Sequence, residues 1–153
     1  MNKNKKTRGF TLIEMLVVIS IIGILAAISV VSFSSVQKQA RDTTRKSDLK
    51  QYQTSIESYA SKNNGNYPIH AAAITVNAAS TFCGASELNI GTCMIDPKSP
   101  TYDYKYVSDG VNYVIWGTLE TKSPVTYWVA CSNGKNAERA TVPANNTSVC
   151  PIP

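Results

Sequence analysis

Residues 10–33 read Phe-Thr-Leu-Ile-Glu-Met-Leu-Val-Val-Ile-Ser-Ile-Ile-Gly-Ile-Leu-Ala-Ala-Ile-Ser-Val-Val-Ser-Phe, and no residue between Glu14 and Lys38 is charged. About twenty apolar residues at ~1.5 Å rise cover the ~30 Å hydrocarbon core of a bilayer, so the run is a candidate spanning helix. Lys3, Lys5, Lys6 and Arg8 precede it without an acid. By the positive-inside rule that tail stays in the cytoplasm. A single-pass chain with everything after Ser35 outside the membrane is the expectation.

The same tail accounts for most of the basic balance. The 153 residues carry 15 Lys+Arg against 10 Asp+Glu, a net charge of +5. Without the four tail cations the remainder stands at +1, and from Asn63 onward there are five basic and six acidic residues. A basic folded surface for nucleic acid is not supported. The length suits one domain with an appendage and leaves no room for a multidomain enzyme.

Two simple readings of the apolar run are a cleaved secretory signal and a plain anchor. The first would be cut near small residues such as Ala26-Ala27 or Ser32-Phe33-Ser34, but the run is long for such a signal. The second leaves Glu14 unexplained. A carboxylate in a spanning helix costs roughly 2.5–3.5 kcal/mol on insertion scales, less near the membrane edge, and usually marks function.

Residues 9–28, Gly-Phe-Thr-Leu-Ile-Glu-Met-Leu-Val-Val-Ile-Ser-Ile-Ile-Gly-Ile-Leu-Ala-Ala-Ile, offer a third reading. With the short basic leader they closely resemble the class III signal of type IV prepilins and of the type II secretion pseudopilins, over about a third of the chain. In that family a membrane peptidase cuts after the glycine on the cytoplasmic side, and the helix stays in the mature protein. The resemblance implies cleavage between Gly9 and Phe10, N-methylation of Phe10, and a meeting of Glu14 with the terminal amine of a neighbouring subunit. Pairing makes a buried carboxylate far less costly, so Glu14 is expected to set the stagger of the assembly more than to stabilise it. Many members carry a proline where this sequence has Val31, and there the helix loosens within the filament; Gly23 is retained, but without the proline the resemblance does not decide whether residues 23–31 unwind on assembly.

Past the membrane the helical spacing continues. Leu49, Tyr52, Ile56 and Tyr59 lie on one face, and Lys38, Arg41, Asp42, Arg45, Lys46, Asp48 and Lys50 read as a solvated face, or as one meeting charges on neighbouring subunits. Asp42 and Lys46 are spaced for a helical ion pair. Asn63-Asn64-Gly65-Asn66-Tyr67-Pro68 stops the helix, giving one rod of roughly 80 Å over residues 10–62. The remaining ~85 residues cannot bury so long a rod; its first half needs lipid or copies of itself.

From Tyr67 onward lie all seven prolines and all four cysteines. Tyr102, Tyr104 and Tyr106 alternate with Asp103, Lys105 and Val107 as in a half-buried strand. Asp109-Gly110 favours a tight hairpin, with further strands at 111–118 and 125–131. An α+β fold is expected: a long helix whose second half packs on an antiparallel sheet of three or four strands, the pilin fold by resemblance. Residues 69–95 read as a loop with a short helix near Ser86–Leu88. The chain divides accordingly into a leader to be removed (1–9), a transmembrane and filament-core helix (10–35), its amphipathic continuation (36–62) and an exported β-rich head (63–153).

Cys83, Cys93, Cys131 and Cys150 form an even set outside the cytoplasm, a context that favours disulfides. Of three connectivities the expected one is Cys83–Cys93 with Cys131–Cys150, the latter tying the C-terminal tail to the last strand; buried thiols are the alternative. No Cys-x-x-Cys suggests zinc. His70 is the only histidine, and nothing near it in sequence suggests a triad or a metal partner. Asp96, Asp103 and Asp109 are not spaced as a calcium loop and read as surface acids. Asn145-Asn146-Thr147-Ser148 holds a glycosylation sequon, a weak signal. No cofactor or catalytic site is expected.

The resemblance implies a structural subunit of a type IV pilus serving motility, adhesion or DNA uptake. Its partners would be copies of itself, the prepilin peptidase and methylase, the assembly platform with its ATPase, and the membrane. It would wait in the membrane with a cytoplasmic N-terminus and end in an extracellular filament. A major pseudopilin of type II secretion is the nearest alternative, and a monomeric membrane-anchored binding domain the alternative of another class.

Overall fold

The computed structural model describes residues 9–142 and 149–152, leaving aside the side chains of 29–32. The leader cations and the sequon lie outside the described residues. The chain divides into two units, Met1–Gln37 and Lys38–Pro153, and the helix α1 (Leu12–Lys62) contributes to both.

In the first unit α1 is a helix of apolar side chains without cover. Fifteen large ones, from Phe10 to Val36, are exposed. The backbone stays helical through residues 23–31, and a Cβ added at Gly23 would meet nothing within 4 Å.

The second unit is α+β. α1 ends as Asn63 and Gly65 both donate backbone hydrogen bonds to the Ala60 carbonyl, at 3.0 and 2.8 Å. Asn64 and Gly65 take φ of 58° and 82°, the left-handed conformation that closes helices. The chain then forms a five-stranded antiparallel meander, β1 (His70–Val76), β2 (Tyr104–Ser108), β3 (Tyr113–Leu119), β4 (Thr126–Cys131) and β5 (Asn136–Arg139), in sequential order.

β2, β3 and β4 lie where alternation and turn chemistry put them; β1 and β5 make the sheet wider than expected. β1 occupies the segment read as loop. It is an edge strand whose register shifts between His70 and Ile74, and its burial does not alternate, so a period-two signal was absent. The helix expected near Ser86–Leu88 is instead a turn. A short 3-10 helix lies at Thr81–Cys83, with the Ser80 hydroxyl accepting from the Phe82 amide. The β2–β3 connection is also longer than a two-residue turn, because Ser108 and Tyr113 are the last pair. Asp109 Oδ1 accepts from the Val111 and Asn112 amides there, and Gly110 takes φ +96°.

The inner sheet face and the helical stripe form the main core. Leu49, Tyr52 and Ile56 of α1 pack among Tyr104, Tyr106, Tyr113, Ile115 and Ala130, with no or almost no exposure. Gly117 lets the helix come close: a Cβ there would stand 2.9 Å from Tyr104 Cδ1 and 3.4 Å from Leu49 Cδ1. The outer face is buried too. Val107, Val114, Trp116, Val129 and Cys131 form a second cluster, against which Ala73, Tyr127, Cys150 and Ile152 pack. Val107 is therefore not the solvent-side partner of the tyrosine alternation. Cys131 is joined to Cys150, and Cys83 to Cys93, with Cα–Cα separations of 5.7 and 5.2 Å. The first of these bonds holds the C-terminal segment over the outer face, and each contributes about 2–4 kcal/mol.

Gly117→Ala should cost about 1–3 kcal/mol by overpacking at the helix–sheet contact. Urea unfolding of the full chain in detergent, followed by tryptophan emission, measures this loss; a neutral result would show that the Tyr104 ring has room to move.

Candidate functional site: the helix terminus and the charged end of the head

At the start of α1, Thr11 and Glu14 cap the helix reciprocally. Glu14 donates its amide to Thr11 Oγ1 at 3.3 Å, while the Thr11 amide and hydroxyl donate to Glu14 Oε2 at 2.8 and 2.7 Å. This is a capping box, which satisfies backbone donors that the first turn leaves unpaired. Both contacts fall on one carboxylate oxygen; Oε1 accepts no hydrogen bond among the described residues. Phe10 is exposed beside it, as is Gly9. Thr11 lies within the apolar run, yet Thr-x-x-Glu before an apolar stretch is a legible capping signal.

The second site is a cluster of charges where α1 enters the second unit. Arg45 is fully buried. Its Nε and Nη2 donate to Asp96 Oδ2 and Oδ1 at 2.7 and 2.9 Å, and its Nη1 donates to Asp42 Oδ1 at 2.8 Å. Nη1 also lies 2.7 Å from Glu120 Oε1. Arg41 grips the two Glu120 oxygens at 2.8 and 2.7 Å. Asp42 in turn accepts from the Glu120 and Thr121 amides and the Thr121 hydroxyl. Lys46 pairs with Glu138 at 2.9 Å and stands over the Trp128 ring.

This corrects the reading of the charged run. Arg41, Asp42, Arg45 and Lys46 bind groups of their own chain, not solvent alone, and the Asp42–Lys46 pair gives way to Asp42–Arg45. The signal was present: positions 42, 45, 49, 52 and 56 share one stripe, so the two charges lie on the core side of the helix. Asp96 is likewise buried instead of a surface acid.

Burial opposes ionisation of Asp42, but the hydrogen bonds from Glu120 and Thr121 outweigh it and hold the carboxyl below its ordinary value. The Arg41 hydrogen bonds, against burial and with help from Arg45, bring Glu120 down to about 2. Arg45 is held protonated: burial works against its charge, and Asp96 and Glu120 more than offset it.

Nothing in this arrangement resembles a catalytic centre. His70 Nε2 meets Glu87 Oε2 at 3.0 Å, with its ring edge-on to Phe82 and Tyr106. Asp103 accepts from the Ser99 hydroxyl and Asp109 caps its own turn; they are not brought together with Asp96. Among the described residues no three His, Cys, Asp or Glu side chains are grouped to hold a metal.

The family model for the prokaryotic N-terminal methylation motif matches residues 4–30. Over 59 residues, 39% of this chain and 27% of the relative, the sequence is 42% identical to the type IV major pilin protein PilA of Myxococcus xanthus. Over 77 residues, 50% of this chain and 59% of the relative, it is 38% identical to the type IV wide pilus major component PilA4 of Thermus thermophilus. The chain thus spans less than two thirds of either relative. No solved structure matches.

Removing one partner from the buried cluster strands the others. Asp96→Ala should cost on the order of 3–5 kcal/mol, because it leaves the Arg45 guanidinium buried beside too few acceptors. Urea titration of the full chain in detergent reads this; a loss under about 1 kcal/mol would mean that water replaces the carboxylate.

The depressed carboxyls, Asp42 and Glu120 with Glu138 held down by Lys46, also set an acid limit. A carboxyl lowered on folding contributes stability above its unfolded value, and that contribution is lost as pH falls toward the folded value. Ordinary values are 3.8 for Asp42 and 4.5 for Glu120. Unfolding free energy should therefore hold above about pH 5 and decline between about 4.5 and 2. A flat profile there, by the same tryptophan signal, would contradict the network.

Proposed function

We propose that this chain, whose N-terminal segment matches the prokaryotic N-terminal methylation motif and is similar to two type IV major pilins, is a structural pilin made as a precursor. It is cut between Gly9 and Phe10, N-methylated on Phe10, and polymerised through α1 into an extracellular filament. The observation that carries the reading is the uncovered apolar helix with one acid, Glu14, in its first turn. α1 is long and apolar enough in this region to cross a membrane, and a helix clothed in apolar side chains needs lipid or other helices around it.

The capping box adds a physical role to Glu14. It fixes the carboxylate against the helix end, with one oxygen committed to Thr11 and the other available to an incoming amine. A neighbouring copy's freed Phe10 amine supplies the charge that a carboxylate in an apolar bundle lacks. Partners are then copies of this chain, a prepilin peptidase and methylase acting at Gly9 and Phe10, and an ATP-driven assembly platform. The cytoplasmic tail 1–9 orients the precursor before cutting, and Lys38–Pro153 is the exported head.

Mass spectrometry of sheared surface fibres should find an N-terminal peptide that begins at methylated Phe10. A peptide beginning at Met1, or at a position after Phe33, would contradict the processing. Glu14→Ala should still be cut and inserted but should give few fibres by electron microscopy. Normal fibre yield from that variant would remove the assembly role of Glu14.

A further inference from the structure

Between Val76 and Tyr104 the chain runs for 27 residues with one short 3-10 helix as regular structure. This segment nevertheless supplies Asp96, whose Oδ2 and Oδ1 accept from Nε and Nη2 of the fully buried Arg45. The bonds that the Lys98 and Ser99 amides make to Asp96 are local and shape a turn. Asp96 is seated from the other side. Two residues before it, the Met94 carbonyl accepts from the Tyr52 hydroxyl at 2.8 Å. Three residues before it, Cys93 is bonded to Cys83. Cys83 ends the 3-10 helix, whose Phe82 ring packs against Tyr52, His70 and Tyr106 at centroid distances of 6.4, 5.9 and 4.4 Å. The disulfide thus hands a position fixed in the main core on to Cys93.

Three residues of chain reach at most about 11 Å. A fixed Cys93 therefore keeps the Asp96 carboxylate in a small volume, at a high effective concentration for the guanidinium. Ile95, between the two, is 42% exposed and adds little hold. Tyr52 touches both parts of this arrangement, because its hydroxyl oxygen also lies 3.6 Å from Cys83 Sγ. A thiolate there would be a stronger acceptor than the Met94 carbonyl.

We propose that Tyr52 and the Cys83–Cys93 bond form a redox latch, which seats Asp96 on Arg45 while the bond is intact and releases it when a dithiol reductant opens the bond. A thiolate of the reductant attacks Sγ of Cys93, which is 7% exposed against 2% for Cys83, and Cys83 leaves as a thiolate. The reductant's second thiolate then displaces Cys93 and closes the reductant to its own disulfide. Two electrons pass to the protein, and both cysteines take up a proton. The Tyr52 hydroxyl turns to Cys83 and gives up Met94, and the freed segment no longer holds Asp96 in place. Arg45 loses the carboxylate that serves Nε and Nη2, a loss that a buried guanidinium tolerates poorly. The order of the charged end of the head therefore reports the state of this bond. The inference concerns the head alone and does not rest on the pilin reading.

The test uses the full nitrogen-15-labelled chain in detergent and follows hydrogen exchange at Arg45 Nε–H in proton–nitrogen spectra. Cys83→Ser/Cys93→Ser should speed that exchange about ten-fold. Cys131→Ser/Cys150→Ser, which weakens the head elsewhere, should leave it nearly unchanged. Tyr52→Phe, with the bond intact, should speed it in the same direction as loss of the bond. Unaltered exchange in Cys83→Ser/Cys93→Ser or in Tyr52→Phe overturns the latch. So does an equal acceleration by both disulfide variants, which would show general loosening. Should Cys83→Ser/Cys93→Ser lose native tryptophan emission, the reciprocal coupling is read on the intact bond. In buffers of reduced and oxidised dithiothreitol, Asp96→Asn should lower the ratio that opens half of the Cys83–Cys93 bonds about ten-fold. The ratio for Cys131–Cys150, read in the same samples by alkylation and peptide mapping, should stay where it is. A Cys83–Cys93 ratio that Asp96→Asn does not move, or one that moves together with that of Cys131–Cys150, overturns the proposal.

Discussion

Among the described residues fifteen large apolar side chains stand exposed between Phe10 and Val36, and what covers them governs everything else about this chain. At roughly 1.5 kcal/mol each, the low end for such side chains, the unfavourable exposure is on the order of 20 kcal/mol. A folded domain of this size has only about 5–15 kcal/mol of net stability. The helix is therefore matched to an apolar surrounding, and two are chemically available: a bilayer and a bundle of identical helices. A bilayer receives a single helix without any register. A bundle needs one, and in the proposed filament the Glu14 carboxylate, held by Thr11, offers that point to a neighbouring amine.

The second unit solves a different problem with the same helix. Beyond Gln37 the stripe of Leu49, Tyr52 and Ile56 is covered by the inner sheet face, and a small head gains additional hold from Arg45. A buried guanidinium is costly alone, yet here it meets Asp96, Asp42 and Glu120 from a loop, the helix and the end of β3. Such a cluster contributes less to stability than an apolar core of equal volume would. What it fixes is position: helix, loop and strand end must all be in place for its charges to be satisfied. The Cys131–Cys150 bond performs a comparable service on the outer face, where Cys150 and Ile152 pack against the second apolar cluster.

Much of this was readable in the residues, for physical reasons that also explain the failures. The apolar run, the helix stop at Asn63 and Asn64, and the three central strands announce themselves through period and turn chemistry. β1 did not, because an edge strand with a register shift and exposed alanines shows no alternation. β5 is four residues long and half-buried throughout, too short to show a period. For Arg45 the charge suggests solvent, but its place on the apolar stripe is the better guide. At the helix terminus the resemblance assigns roles to Gly9, Phe10 and Glu14, whereas the Thr11 cap follows from the Thr-x-x-Glu spacing alone.

The most direct measurement is a zero-length carbodiimide crosslink in filaments grown from a mixture of nitrogen-14 and nitrogen-15 subunits. Peptides joining the Phe10 amine of one isotope to the Glu14 carboxylate of the other are expected, since only adjoining copies give mixed-mass products. Filaments in which other amine–carboxylate pairs crosslink between copies, while Phe10 and Glu14 never do, would contradict the proposed pairing.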